Sequence, residues 1–262
     1  MKYCKDLTVV SVEHLTEKYV LIKLTDQEPL PEMMPGQFVE VRVDGSPQTF
    51  LRRPISINNV VAEKNELHLL VAMIGEGTRQ LGTLRSGDSL NVMYPLGNGF
   101  TLPAKDLATG VMAKHLLVGG GVGVAPLLFL GSRIKEMGGE ATFLLGARTE
   151  KDLLMLDAFR QVGRVFVTTE DGSAGEKGFV TNHSILNEEH FDHISTCGPK
   201  PMMVAVARYA EKADIPCEVS LENKMACGLG ACLCCVEKTN DKGNICICTE
   251  GPVINAKRIW QD

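Results

Sequence analysis

Three cysteines, Cys227, Cys232 and Cys235, stand in the spacing C-x4-C-x2-C, and two more, Cys246 and Cys248, follow close behind. C-x4-C-x2-C is the plant-type spacing of a [2Fe–2S] cluster, which is held by four thiolates. A short loop that aims three sulfurs at one point needs backbone angles most residues avoid, and Gly228 and Gly230 supply them. The same glycines let amide N–H groups approach the inorganic sulfides, where such hydrogen bonds tune potential. Cys235, rather than the adjacent Cys234, completes the spacing. The fourth thiolate comes from Cys246 or Cys248. A cluster of this kind moves single electrons, which places the chain in an electron-transfer system. Zinc is the rival metal, but structural Cys4 zinc sites pair two short hooks, and overlapping hooks suit a cluster better. Nine cysteines is an odd count, and their crowding into one loop argues for a reducing compartment over a disulfide framework. Cys4, Cys217 and Cys234 read as small buried apolar side chains.

Two further segments suit nucleotide phosphates. Residues 119–126 read Gly-Gly-Gly-Val-Gly-Val-Ala-Pro behind an apolar run. Gly119, Gly120, Gly121 and Gly123 would let backbone N–H groups and a helix start approach a pyrophosphate. Alone, such a turn equally serves close packing. Residues 197–202, Cys-Gly-Pro-Lys-Pro-Met, end a second strand-like run and place Cys197 and Gly198 at the same kind of edge. Near the N-terminus, Arg52-Arg53-Pro54-Ile55-Ser56 offers a guanidinium for a phosphate and a hydroxyl, with Pro54 fixing the backbone. In isolation it reads as a surface arginine pair. Gly75-Glu76-Gly77-Thr78-Arg79 is a second phosphate candidate.

The elements that must position these residues fall into three groups. Up to residue 100, short β-rich runs at 9–12, 19–24, 37–43 and 66–71 are separated by turn signals, which predicts an antiparallel barrel with one helix at 78–84. From 110 to 215, strand-like and helix-like runs alternate, which predicts a parallel sheet of βαβ units. Strands are expected at 115–118, 141–146, 164–168 and 193–197, and helices up to 137, at 153–162 and at 201–212. The expected division is multidomain: a barrel over 1–104, an α/β domain over 105–215 and a small cysteine-bearing unit over 216–262.

With 27 basic and 32 acidic residues the net charge is −5, and no nucleic-acid footprint is present. The apolar stretch at 116–131 is broken by glycines and Pro126 and falls short of the ~18 residues a membrane span needs. Residues 1–15 carry charges and no apolar core, so no signal peptide is expected. The expectation is a soluble, cytoplasmic protein. His183, His190 and His193 read as surface or capping residues. Trp260 is expected on the barrel or at a partner surface. No general acid or base stands out.

Taken together, these motifs resemble the ferredoxin–NADP reductase superfamily over nearly the whole chain. Arg53 to Ser56 matches its R-x-[YF]-S flavin motif with Ile55 in place of the aromatic. Residues 119–126 match G-G-G-x-G-x-A-P, and 197–202 match C-G-P-x-P-M. Residues 221–232 and 248–253 narrow the resemblance to the electron transfer subunits of dihydroorotate dehydrogenase B. Electron-bifurcating reductases and sulfide dehydrogenase subunits are similar, some with aspartate where Cys227 stands.

The resemblance implies Cys248 as the fourth ligand, which leaves Cys246 as a small apolar residue. By position it also implies flavin contacts at Arg53, Pro54, Ile55, Ser56, Leu70, Val71, Ala72, Gly77 and Thr78. It further implies FAD, one [2Fe–2S] cluster and NAD, with a partner catalytic subunit that carries FMN and oxidises dihydroorotate in pyrimidine biosynthesis, in a heterotetramer. A reductase serving a ferredoxin or another redox partner is the alternative, and a zinc-bound interaction unit is a second. NAD is preferred over NADP because Glu170 and Asp171 would oppose a 2′-phosphate, although Arg148 would accept one.

Overall fold

The computed structural model describes residues 1–104, 110, 112–241 and 243–260. Six strands, β1 (Tyr3–His14), β2 (Tyr19–Thr25), β3 (Phe38–Val41), β4 (Arg53–Val61), β5 (Glu66–Ala72) and β6 (Ser89–Leu96), close into an antiparallel barrel in the order β1-β2-β5-β4-β3-β6. Along β6, Leu90, Val92, Tyr94 and Leu96 are buried in alternation, the period of a strand with one face on a closed interior. Helix α1 (Glu76–Leu81) interrupts the barrel two residues earlier than expected, because Gly75 already serves as its N-cap.

Seven strands form the second sheet: β7 (His115–Gly120), β8 (Ala141–Ala147), β9 (Arg164–Thr169), β10 (Glu176–Lys177), β11 (His193–Cys197), β12 (Cys217–Ser220) and, from further along the chain, Val253–Asn255. Between β12 and that last strand, β13 (Val236–Thr239) and β14 (Gly243–Cys246) form a separate two-stranded ribbon, so Val253–Asn255 is β15. The sheet order is β10-β9-β8-β7-β11-β12-β15. Every residue of β7 is buried, as a strand covered on both faces must be. Helices α2 (Ala125–Glu136), α3 (Leu156–Val162), α4 (Ile185–Glu188) and α5 (Lys200–Lys212) connect or cover these strands, and α6 (Ile247–Glu250) follows the ribbon. Pro126 sits in the first turn of α2, where no amide donor is needed.

The parallel order reverses at β7, whose neighbours are β8 on one side and β11 on the other. Such a switch point opens a crevice beyond the C-terminal ends of the strands. The sheet also continues past residue 216. β12 pairs in parallel with β11, and β15 pairs antiparallel with β12. Part of the cysteine-bearing segment is therefore an edge of the nucleotide-type sheet. Residue 105, where the second domain was expected to begin, lies outside the described residues.

One apolar core joins all three groups. Phe38 and Leu96 of the barrel pack in the same cluster as Met225, Cys235, Ile247 and Cys248. Where β4 meets α2, the buried Asn58 side-chain amide donates to the Ala125 carbonyl at 3.0 Å. Among the described residues no helix is long and apolar enough to cross a membrane.

Candidate functional site

The cysteine loop turns where the sequence supplies glycine: φ is +65° at Gly228 and +82° at Gly230. Backbone amides then point at sulfur. The Leu229 N–H donates to Cys227 Sγ at 3.4 Å, the Gly230 N–H to Cys248 Sγ at 3.1 Å and the Cys248 N–H to Cys235 Sγ at 3.4 Å. Cys232 neighbours Cys227, and Cys235 neighbours Cys248. The Leu229 amide, followed by the Cys232 amide, holds the Cys227 thiol down at about 6. Burial pushes Cys248 up to about 12. Cys248, not Cys246, meets both the Gly230 amide and Cys235.

Among the described residues no three His, Cys, Asp or Glu side chains converge on a point that would hold one metal ion. A mononuclear zinc site gathers four ligands about one centre. The four cysteine sulfurs are the donor set a binuclear cluster takes, each iron with two of them. Donor atoms and amides are thus of the kind such a cluster needs. Cys217 is buried, as expected, but Cys4 and Cys234 are exposed and Cys246 is half-buried. Cys4 and Cys234 are corrections to the apolar reading, whereas Cys246 packs against the edge of the shared core.

The crevice at the switch point has a volume of about 350 Å³. Gly120, Gly121 and Gly123 line one wall, and Gly198, Pro199 and Lys200 line the other. The two turns touch so closely that a Cβ on Gly123 would lie 2.4 Å from the Gly198 Cα. Gly119 is not in the lining; a Cβ there would meet Leu127 at 2.8 Å, so it also lets α2 pack closely on β7. Cys197 is fully buried behind Gly198, and burial pushes its thiol up. Sequence reasoning missed Tyr19, Glu222, Asn223, Glu237 and Trp260, which complete the crevice. The Asn223 amide donates to Glu237 Oε2 at 3.0 Å and fixes that wall. Recognising β12 as a strand would have placed Glu222 and Asn223 at this edge. Trp260 is half-buried, packs against the core shared by the barrel and the nucleotide-type sheet, and lines the crevice.

A second group gathers on the barrel. Gly77 lies against Arg53, whose Cδ would be 3.5 Å from a Cβ there, and Thr78 Oγ1 caps the Gly75 amide at 3.0 Å. Pro54 and Ser56 pair across β3 with Glu40 and Phe38. Ile55 and Val71 pack toward the barrel interior, whereas Leu70 faces the α2 side. Ala72 pairs with Tyr19, which links this group to the crevice. Arg52 turns away: its guanidinium donates to the Glu40 carbonyl at 3.2 Å and to Asn91 Oδ1 at 2.5 Å. Arg53 is thus the guanidinium left on the motif's face. Of the histidines, His183 is buried and its Nδ1 accepts from the Ile185 amide at 3.0 Å, a capping role, while His190 is exposed. His193 is neither a surface nor a capping residue: it is half-buried and pairs with Glu218 at 3.3 Å.

Residues 222–260 match the family model for the iron-sulfur cluster binding domain of dihydroorotate dehydrogenase B, and 117–208 match that of the oxidoreductase NAD-binding domain. A dihydroorotate dehydrogenase B (NAD(+)) electron transfer subunit of Bacillus pumilus is 39% identical over 97% of this chain and 96% of its own length. The same-named subunit of Shouchella clausii is 43% identical over 84% of this chain and 83% of its own. The chain belongs to the family of dihydroorotate dehydrogenase B electron transfer subunits. Among solved structures, an NADH-dependent reduced ferredoxin-NADP oxidoreductase studied for flavin-based electron bifurcation superposes with a TM-score of 0.84 at 29% identity, covering 97% of this chain and 89% of that one. The family's cluster-binding model begins at Glu222, one residue past the β12–Leu221 edge, and so takes in both Asn223 and the crevice-facing Trp260.

Proposed function

We propose that this chain is the electron-transfer subunit of a dihydroorotate dehydrogenase B, carrying electrons from an FMN-bearing catalytic partner to NAD⁺. The observation that carries this reading is the set of backbone amides that the cysteine loop turns onto the sulfurs of Cys227, Cys235 and Cys248, on a loop packed against the barrel, with the crevice on the same body. Cys227, Cys232, Cys235 and Cys248 hold a [2Fe–2S] cluster, and the amides of Leu229, Gly230 and Cys248 support the sulfurs. Arg53 binds the FAD phosphates and Ser56 lies beside the flavin, with the 70–72 backbone, Gly77 and Thr78 completing the cradle. Gly120, Gly121 and Gly123 give backbone to the NAD pyrophosphate, while Gly198 and Lys200 close the opposite wall. FAD, when bound, supplies the conversion between one-electron and hydride chemistry. The protein's part is to hold the three groups in order and keep the crevice shaped for the dinucleotide.

The functional division is 1–104 for FAD, 105–215 for NAD and 216–262 for the cluster. The assembly is a heterotetramer, and the site of action is the cytoplasm, where nine unbridged cysteines stay reduced. NAD is preferred over NADP: Asp171, held ionised by Ser173, donates its backbone N–H to the Arg148 carbonyl beyond the C-terminal ends of β8 and β9, where its charge would oppose a 2′-phosphate. NADH should outperform NADPH in reducing an artificial acceptor, and equal kcat/KM for the two would refute the preference. Dihydroorotate oxidation is expected only when the FMN-bearing subunit is present. Turnover of dihydroorotate by this chain alone would overturn the assignment.

A further inference from the structure

Electron delivery through the cluster leaves a proton unaccounted for. NAD⁺ becomes NADH by taking a hydride, which is two electrons and one proton. Electrons that pass singly through thiolate-held irons bring no proton with them. On the functional reading above, one proton per NADH must enter the flavin compartment by a separate route.

Glu40 is placed to supply it. Its side chain is fully buried, and neither carboxyl oxygen has a hydrogen-bond partner among the described residues. An unpartnered carboxylate sealed from water is costly, and the neutral acid relieves that cost. Glu40 lies on β3 between the two proposed cofactor sites. A Cβ on Gly228 of the cysteine loop would lie 2.9 Å from its Cγ, and on β4 its register partner is Pro54. Its other neighbours, Met93 and Leu96 of β6, are uncharged. The charged or titratable groups facing it are Arg53 and Arg52 on one side and Cys227 on the other. Burial outweighs the two arginines and raises the carboxyl above the usual carboxylate range. Gly228, which covers Glu40, is itself buried, and the next loop residue, Leu229, is exposed. The strongly shifted His115 is no competitor: it opens β7 at the strand's N-terminal end, away from the crevice.

We propose that Glu40 is the proton relay between the cysteine loop and the flavin site. In each cycle its O–H bond breaks, its carboxyl becomes a carboxylate, and the proton passes to the flavin site, where FAD, when bound, would combine it with the two electrons for transfer to NAD⁺ as a hydride. The carboxylate then recovers a proton from solvent through the loop.

The test uses the anaerobic, cofactor-loaded protein with its partner subunit, as wild type, Glu40→Gln and Glu40→Asp. Flavin reduction is followed after mixing with a one-electron donor, reduced methyl viologen, and separately with NADH. With the one-electron donor, Glu40→Gln should be slower by about a hundredfold and lose the solvent deuterium isotope effect, while Glu40→Asp keeps both the effect and most of the rate. Reduction by NADH, which brings its own hydrogen, should slow far less. The wild-type redox-difference infrared spectrum should carry a deuterium-sensitive band of a protonated carboxyl that shifts in Glu40→Asp. If Glu40→Gln does not retain iron and flavin, that band and its shift decide alone. An unchanged rate and isotope effect in loaded Glu40→Gln, or a band unmoved in Glu40→Asp, would overturn the relay. Wild-type protein without iron, sulfide and flavin would instead reject the functional reading on which it rests.

Discussion

The cysteine loop offers side-chain sulfur to its ligand, whereas the crevice offers bare backbone. In the loop, glycine serves to aim amides at sulfurs, and Gly230 reaches Cys248 at 3.1 Å. In the crevice, glycine serves to leave out a Cβ, and Gly123 stands so close to Gly198 that one would lie 2.4 Å from the Cα. The first region should therefore be sensitive to the identity of an atom and the second to added volume. A single substitution type in each region tests that difference.

The largest effect is expected from Cys235→Ser. It removes a buried sulfur, the proposed ligand, that also accepts the Cys248 amide. Iron content should fall from about two per chain toward none, and the visible cluster absorption should vanish while flavin absorption stays. Retention of full iron would break the assignment of the loop. Next is Gly123→Ala, where the new methyl forces the two turns apart at a cost of about 1–3 kcal/mol. NAD⁺ binding, measured by titration, should weaken by about tenfold or more with iron and flavin retained. Unaltered binding would show that the turns do not form the dinucleotide wall. The smallest effect is expected from Cys246→Ser, since Cys248, not Cys246, meets the Gly230 amide and Cys235. Its iron content should match the parent protein, and loss of the cluster would exchange the roles of Cys246 and Cys248.

What was legible in the sequence was local. The C-x4-C-x2-C spacing and the Gly119 to Pro126 turn carry their geometry within a dozen residues, and both emerged where expected. β12 was not legible, because Cys-Glu-Val-Ser holds too little apolar pattern to announce a strand, and only pairing with β11 and β15 makes it one. Tyr19, Asn223 and Trp260 reach the crevice from three distant stretches of chain, and no spacing rule joins them. The Arg52–Arg53 pair was visible, but only the Asn91 contact shows which arginine turns away. Glu40 is hidden for a related reason. Within Phe-Val-Glu-Val it reads as a solvent-facing strand position, and a loop almost two hundred residues later buries it.

The central claim is that four cysteines near the end of the chain hold a binuclear iron–sulfur cluster. Electron paramagnetic resonance of the anaerobically purified, dithionite-reduced protein tests it most directly, with iron and acid-labile sulfide counted on the same sample. The account predicts about one spin per chain with iron and sulfide in equal amounts. A silent sample containing stoichiometric zinc would contradict it.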